Sequence, residues 1–593
     1  MRMLRSPFAA SLLPLACAVV LVALHPSAYV AKVAIFVGIG TLYGMSLNMI
    51  WGLGGQFSMG QMALACIGAY VGTLCVTLLG LDPWLSLLPA LLVSACATLL
   101  LGLLALRLRG FHFSIVTLAA SQILLLLLYN ADIVGGPSGL VVSYQLSDIS
   151  LFGHVLLRMN NAGYAILLGL IVSALMVVQT AIMRSRAGRA IVAVREEEVL
   201  ARSIGIAPTR QKILAFLLSS VPACVGGWLA GPLISYLTPT SFGIDSLLDQ
   251  ISMVVIGGIG TVLGPFAGAV VVVLLPEMLR FAGAMRIVGY SVVLILTVIF
   301  VPQGLASLFR LRRPAADPSQ GERTAAAAIP PVTRHRSGML LEVEGLTKRY
   351  GGLTAVASVT LSIGAGQTVG LIGPNGAGKT TLFDMISGFT RPSEGTVRWR
   401  GVSGQSPEQL AGAGMVRTFQ HARLFPKLSV TENLLTATHL PARGLLGSDV
   451  PAERVARVLA LCRLEQWAQA SASQLPYGVG KRLGVALGLI TEPMLLMLDE
   501  PAAGLTTAER LELAAMLGRI GQLGVTLLVI EHDIAFVGQV CARVVVLAAG
   551  EVICDGSIAD ARANPAVVDA YLGSGSHSAD ERSLVLGETD AAD

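Results

Sequence analysis

One run of residues, Gly373-Pro374-Asn375-Gly376-Ala377-Gly378-Lys379-Thr380, carries the most specific chemical pattern in the chain. Its spacing, G-x-x-x-x-G-K-[ST], suits phosphate binding. Small residues let backbone N–H groups approach phosphate oxygens, and a helix starting just after them adds positive potential. Residues 367–372 are apolar and read as a strand before the loop; residues 381–387 read as the helix after it. Lys379 is expected to reach the outer phosphates of ATP, and the Thr380 hydroxyl to bind Mg2+.

Two further apolar runs end in polar residues suited to the same chemistry. Residues 494–498 form a run that ends at Asp499-Glu500. A buried parallel strand has this composition, and ligands of open α/β sheets sit at strand C-terminal ends. Asp499 is expected to hold Mg2+ through the metal's waters, and Glu500 to orient or deprotonate an attacking water. Residues 525–530 end at Glu531-His532-Asp533. A lone histidine is usually structural, but at the end of a third parallel strand His532 can contact a γ-phosphate. The elements that must position these groups are therefore a parallel sheet and the helices covering it, an α/β fold over residues 339–573.

The rest of the chain differs in composition. Of 593 residues, 54% are hydrophobic and 13% charged, against about 25% charged in soluble domains. Residues 1–306 hold successive long apolar runs, whereas 339–573 have ordinary globular composition. A net charge of +5 is small for this length and gives no sign of nucleic-acid binding. The eight cysteines are scattered, without C-x-x-C or Cys/His ligand spacing, so neither disulfides nor a structural metal is expected. Arg2 to Arg5 followed by apolar residues to Leu24 reads as an uncleaved first membrane helix, because further apolar spans follow.

A membrane helix needs about 20 mostly apolar residues. Candidate spans are 8–25, 29–51, 60–81, 84–106, 112–129, 162–183, 212–237, 249–277 and 286–302. The expectation is a polytopic α-helical membrane domain of about 8–10 spans. Glycine interruptions at Gly52-Leu53-Gly54-Gly55 and Gly257-Gly258-Ile259-Gly260 mark either broken helices lining a path or close packing through small residues. Residues 184–212 form a charged break, rich in arginine and holding Glu196, Glu197 and Glu198. Positive-inside bias puts it in the cytoplasm, where it is expected to dock on the ATPase. With the linker on the same side, an even number of crossings must separate the two, so segment 249–277 is either a re-entrant hairpin or two short crossings. Residues 307–338 read as a flexible linker and 574–593 as a disordered tail.

The soluble half resembles the ATP-binding-cassette (ABC) ATPases over residues 339–573. The resemblance implies that Tyr350 stacks on adenine and that Gln420, in Arg417-Thr418-Phe419-Gln420, links the γ-phosphate and Mg2+ to the membrane domain. It makes His532 the switch histidine and extends nucleotide contacts to Gly373, Asn375, Gly376, Gly378 and Thr381. Leu475-Pro476-Tyr477-Gly478-Val479 stands at the signature position, usually L-S-G-G-Q, where Pro476 replaces the serine and Val479 the glutamine. Backbone groups at Tyr477 and Gly478 remain able to face a phosphate. Thr506 stands where an aspartate is usual. These departures put equal activity of two composite ATP sites in question.

The membrane half, in Gly52-Leu53-Gly54-Gly55-Gln56-Phe57-Ser58-Met59-Gly60, Arg107-Leu108-Arg109-Gly110-Phe111-His112-Phe113 and Val255-Ile256-Gly257-Gly258-Ile259-Gly260-Thr261, resembles the permeases of bacterial branched-chain (hydrophobic) amino-acid importers. Residues 417–420, 500–505 and 564–573 resemble that system's ATPase. The resemblance implies ATP-driven import across the inner membrane by a fused permease and ATPase. Its partners would be a second permease and a second ATPase, or a second copy of this chain, and a periplasmic solute-binding protein. Leucine, isoleucine and valine are the default solutes; urea and short amides are the alternative. An exporter half-transporter is the weaker reading, since its helices are long and project into the cytoplasm. A non-transport ABC ATPase does not account for the membrane half.

Overall fold

The computed structural model describes residues 7–24, 27–105, 108, 110–151, 154–234, 236–279, 285–309, 338–420, 423–438 and 452–572. Residues 310–337 of the expected linker (307–338) and the expected tail (574–593) lie outside them, as do Arg2, Arg5, Arg107 and Arg109. The chain forms two compact units. One comprises Met1–Arg195 and Pro208–Arg313; the other comprises Glu196–Ala207 and Pro314–Asp593.

The first unit is helical: α1 (Leu13–Ala23), α2 (Ala28–Leu47), α3 (Gln61–Thr77), α4 (Leu87–Ala105), α5 (Phe111–Tyr129), α6 (Asn161–Arg184), α7 (Arg186–Glu196), and, past a short helix α8 (Glu198–Ser203) of the second unit, α9 (Pro208–Ala230), α10 (Ile244–Gly257), α11 (Gly264–Met278) and α12 (Met285–Phe300). Among the described residues, five stretches are long and apolar enough to cross a membrane: Ala28–Leu53, Leu87–Ala105, Phe111–Tyr129, Asn161–Arg184 and Pro208–Leu233. Helices α1, α3 and α11 are apolar but shorter. The first and last of the long stretches are largely buried by protein, whereas Leu87–Ala105 and Phe111–Tyr129 expose most of their apolar surface. Leucines at 88, 92, 100, 103, 126 and 127 are all more than half exposed, as a surface facing lipid rather than water allows.

The interrupted segment 249–277 is two helices. Helices α10 and α11 are antiparallel: a Cβ on Gly268 would lie 1.8 Å from the Met253 carbonyl oxygen, and one on Gly257 would lie 1.8 Å from that of Gly264. Only glycine allows such backbone contact. The helices have 14 and 15 residues, so each rises about 21–23 Å, less than a bilayer core of about 30 Å. Among the described residues, α9 precedes and α12 follows this helix pair; a re-entrant hairpin and two short crossings both leave an even number of crossings between the charged break and the linker.

The second unit is built on a sheet in the order β6–β7–β8–β3–β9–β10, from β3 (Thr368–Ile372), β6 (Met415–Arg417), β7 (Leu495–Asp499), β8 (Thr526–Ile530), β9 (Arg543–Ala548) and β10 (Glu551–Gly556). All neighbours are parallel except β9 and β10. Every residue of β7 and β8 is buried, which explains why these strands read as unbroken apolar runs. A second, antiparallel sheet runs β2–β1–β4–β5, from β1 (Met339–Tyr350), β2 (Leu353–Gly364), β4 (Glu394–Trp399) and β5 (Val402–Ser403). One apolar core, including Leu341, Ile363, Phe383, Trp399 and Met497, joins the two sheets.

Candidate nucleotide site and docking segment

Strand β3 delivers the chain to residues 373–378, and helix α13 (Lys379–Ile386) leaves from them. Gly376 and Gly378 have φ of +82° and +93°, a left-handed backbone that side chains disfavour. The buried Lys379 folds back over the loop, its Nζ donating to the carbonyls of Gly373 at 2.7 Å and Pro374 at 2.9 Å. Burial lowers its pKa, opposed by the nearby carboxylates of Glu500 and Asp499. Asn375, Gly376 and Thr380 are exposed, and Thr381 is half-buried behind them.

Because β7 and β8 lie beside β3, their ends bring Asp499, Glu500 and His532 to the same sheet edge. Glu500 has φ of +43°; its N–H donates to the Ile530 carbonyl at 3.0 Å. Backbone strain of this kind clusters at functional sites. Gln420 follows β6, where the Thr418 N–H donates to the Met497 carbonyl at 2.8 Å. The Gln420 amide donates to Glu500 Oε2 at 2.5 Å. His532 is exposed, with Nδ1 3.7 Å from Glu531 Oε2. Tyr350 ends β1 with its side chain about half exposed, and Lys348 Nζ lies over its ring, 5.1 Å from the centre.

The signature residues Tyr477 and Gly478 begin helix α14 (Tyr477–Leu489). Their contacts include the loop after Glu500 and the helix that follows it. Tyr477 Oη donates to the Ala503 carbonyl at 3.2 Å, and a Cβ on Gly478 would lie 2.2 Å from Glu509. Two of the three departures have local reasons. Val479 is buried. Thr506 caps the helix Thr507–Gln522 in a reciprocal capping box with Glu509, and those bonds lower the Glu509 pKa.

Three groups escaped the sequence reading as separate actors. Arg417 Nη2 donates to Asp499 Oδ2 at 3.0 Å, while its Nη1 pairs with Asp384. Its guanidinium lies among the rings of Phe383, Phe389 and Phe419. Burial raises the Asp499 pKa, and Arg417 opposes the rise. Lys481, also buried, donates from Nζ to the carbonyls of Gln420 at 2.5 Å and Glu500 at 3.0 Å; burial lowers its pKa. Glu531 Oε1 accepts the Ala502 N–H at 2.7 Å and so shapes the loop after Glu500. Burial raises its pKa. Arg417 stands in the motif Arg417-Thr418-Phe419-Gln420; Lys481 and Glu531 show in the sequence as charged residues beside apolar runs.

Residues 196–207 pack on this same unit. Glu197 pairs with Arg423 at 2.5 Å, Arg202 with Glu408 at 2.6 Å, and Glu196 with Lys427 at 3.4 Å. Arg202 also lies 5.6 Å from the centre of the Phe389 ring. Leu200 and Ile204 line a small cavity with Arg417, Thr418, Phe419 and Lys481, next to Gln420.

A phosphate loop, paired carboxylates ending the neighbouring strand, a glutamine meeting the second carboxylate and a signature helix define the ATPase of an ABC transporter. A family model described as an ABC transporter matches residues 356–503, and one described as the permease component of a branched-chain amino acid transport system matches residues 29–301. The chain therefore belongs to the branched-chain amino acid ABC transport family, with permease and ATP-binding components on one polypeptide. The high-affinity branched-chain amino acid transport ATP-binding protein LivG of Salmonella typhimurium is 43% identical over 249 residues, 40% of this chain and 98% of that protein. The permease protein LivM of the same organism is 33% identical over 292 residues, 45% of this chain and 68% of that protein. A crystal structure of an ATP-binding cassette in its ADP conformation aligns at 27% identity over 40% of this chain and 99% of that one, with a TM-score of 0.36. The chain is thus a membrane protein that binds nucleotide and hydrolyses ATP in coupled transport.

Proposed function

We propose that this chain is the fused permease–ATPase subunit of an importer that carries branched-chain amino acids across the bacterial inner membrane. The observation that supports this most is that the two halves of one polypeptide separately match the permease and the ATP-binding component of one transport system. The ATPase unit would lie in the cytoplasm. A second permease and a second ATPase, or a second copy of the chain, would complete the membrane complex, and a periplasmic binding protein would deliver the solute. The core of the permease unit offers uncharged polar groups: Ser46 donates to Gln61 at 2.5 Å, and Gln250 donates to the Tyr43 carbonyl at 2.7 Å.

In this reading Lys379 and the N–H groups of Gly376 and Gly378 hold the phosphates, and Tyr350 offers its ring to adenine. Glu500 takes the proton of the attacking water or orients it. Gln420, hydrogen-bonded to Glu500, senses the γ-phosphate side, and His532 contacts that phosphate. The oxygen donors of Thr380, Gln420 and Asp499 are hard ligands of the kind Mg2+ prefers. When bound, Mg2+ would neutralise charge on the phosphates. Tyr477 and Gly478 would face the nucleotide of a partner ATPase.

The test is ATP hydrolysis by the assembled complex in lipid with its binding protein. Leucine-loaded binding protein should raise the rate, and the unloaded protein should not. Stimulation by urea alone would overturn the solute class.

A further inference from the structure

Helix α2 does not end where its hydrogen bonding first changes. Residues Asn48–Leu53 continue it as a widened turn: Gly54 N–H donates to the Met49 carbonyl at 3.2 Å, and Gln56 N–H reaches back to Ile50 at 3.1 Å. Widened turns of this kind recur at functional sites. Because Gln56 bonds Ile50, the Gly52 carbonyl is left available to another donor, and the guanidinium Nη1 of Arg195 fills that role. The stem of Arg195 runs against Gly55, which has φ of +69° and where a Cβ would lie 2.2 Å from Arg195 Cγ.

The opposite side of the same turn is clamped to the α10–α11 hairpin. Asn48, fully buried, accepts the Gly260 N–H at 2.7 Å and donates to the Thr261 carbonyl at 2.9 Å. A Cβ on Gly52 would lie 2.6 Å from Gly260 N, so the turn and the hairpin tip touch through backbone. Arg195, the widened turn and the hairpin tip are therefore in series. Arg195 is also the residue before the segment Glu196–Ala207 that folds with the ATPase unit.

We propose that Arg195 is a positioning residue that converts displacement of the ATPase-held segment into a change at the widened turn and hairpin tip of the permease. The inference rests on the transporter reading above. Two discrete backbone arrangements at residues 48–56 would supply the switch that such coupling needs.

Hydrogen–deuterium exchange of the full chain in lipid nanodiscs tests this without knowledge of the solute. In the Glu500→Gln background, adding ATP should change exchange in residues 48–60 and 256–263 as well as in the phosphate loop. With Arg195→Ala added, the phosphate-loop change should persist and the permease change should fall at least threefold. Arg195→Lys, which still offers a cation to the carbonyl, should restore much of it. Gly55→Ala should reproduce the loss from the other side of the contact. If Arg195→Ala leaves the ATP-dependent change at 48–60 intact, the proposal is wrong. If exchange there is already raised without ATP and Arg195→Lys does not restore the response, Arg195 is merely structural and the proposal also fails. Loss of the phosphate-loop response itself would instead count against the ATPase reading.

Discussion

The guanidinium of Arg417 meets Asp499 at 3.0 Å inside the ATPase core, and both side chains are more than nine-tenths buried. A carboxylate placed to hold a cation is thus already balanced by one. Replacing Arg417 with methionine would leave a buried charge unpaired, a change that costs about 3–5 kcal/mol. The Asp499 pKa, already raised by burial and held back by Arg417, would rise further. Activity requires the ionised form, so the acid limb of the pH–rate profile should move to higher pH. The stability deficit should shrink as pH falls, because protonated Asp499 needs no counter-ion. Thermal unfolding across pH checks this; a deficit that grows on acidification would contradict it.

Lys481 joins two loops by donating to the carbonyls of Gln420 and Glu500. Lys481→Met should therefore loosen the water-positioning pair. We expect the ATPase kcat to fall on the order of tenfold to a hundredfold, as for small misplacements of catalytic groups, with KM for ATP little changed. Steady-state kinetics decide it, and a rise in KM alone would point to a role in binding.

Lys379→Ala should lower turnover by about 10²- to 10³-fold by removing a donor aimed at developing phosphate charge. Glu500→Gln should keep ATP binding, stop hydrolysis and trap nucleotide. Near-normal turnover in Glu500→Gln would remove Glu500 from its assigned role.

The pairs Glu197–Arg423 and Arg202–Glu408 fasten the docking segment to the ATPase. Glu197→Arg should lower uptake severalfold while ATP hydrolysis continues, and adding Arg423→Glu should restore uptake. Cysteines at 197 and 423 should crosslink in membranes. No rescue and no crosslink would reduce 196–207 to a loop that only sets topology.

Much of this was legible in the order of residues. The phosphate loop and the ends of β7 and β8 were readable because buried parallel strands appear as short apolar runs, and Lys379, Asp499, Glu500 and His532 sit at their edges. The break near Gly257 separates two short antiparallel helices, as the close approach of Met253 to Gly268 shows; a re-entrant hairpin and two short crossings share that arrangement. Contacts between residues far apart in sequence were not readable. Arg417 with Asp384, Lys481 with two carbonyls, and Arg195 with Gly52 depend on how elements pack, and no local pattern encodes them. Thr506 looked like a lost aspartate, yet it caps a helix, a role visible once Glu509 is seen to answer it.

The most direct test of the whole account is uptake of radiolabelled leucine in cells that lack their own branched-chain amino acid transport. The chain would be expressed there with a permease, an ATPase and a periplasmic binding protein of a branched-chain amino acid transport system. The account predicts accumulation above the external concentration, competed by isoleucine and valine but not by urea, and abolished by Glu500→Gln. Leucine accumulation no faster than in the Glu500→Gln cells, with the complex assembled and hydrolysing ATP, would contradict it.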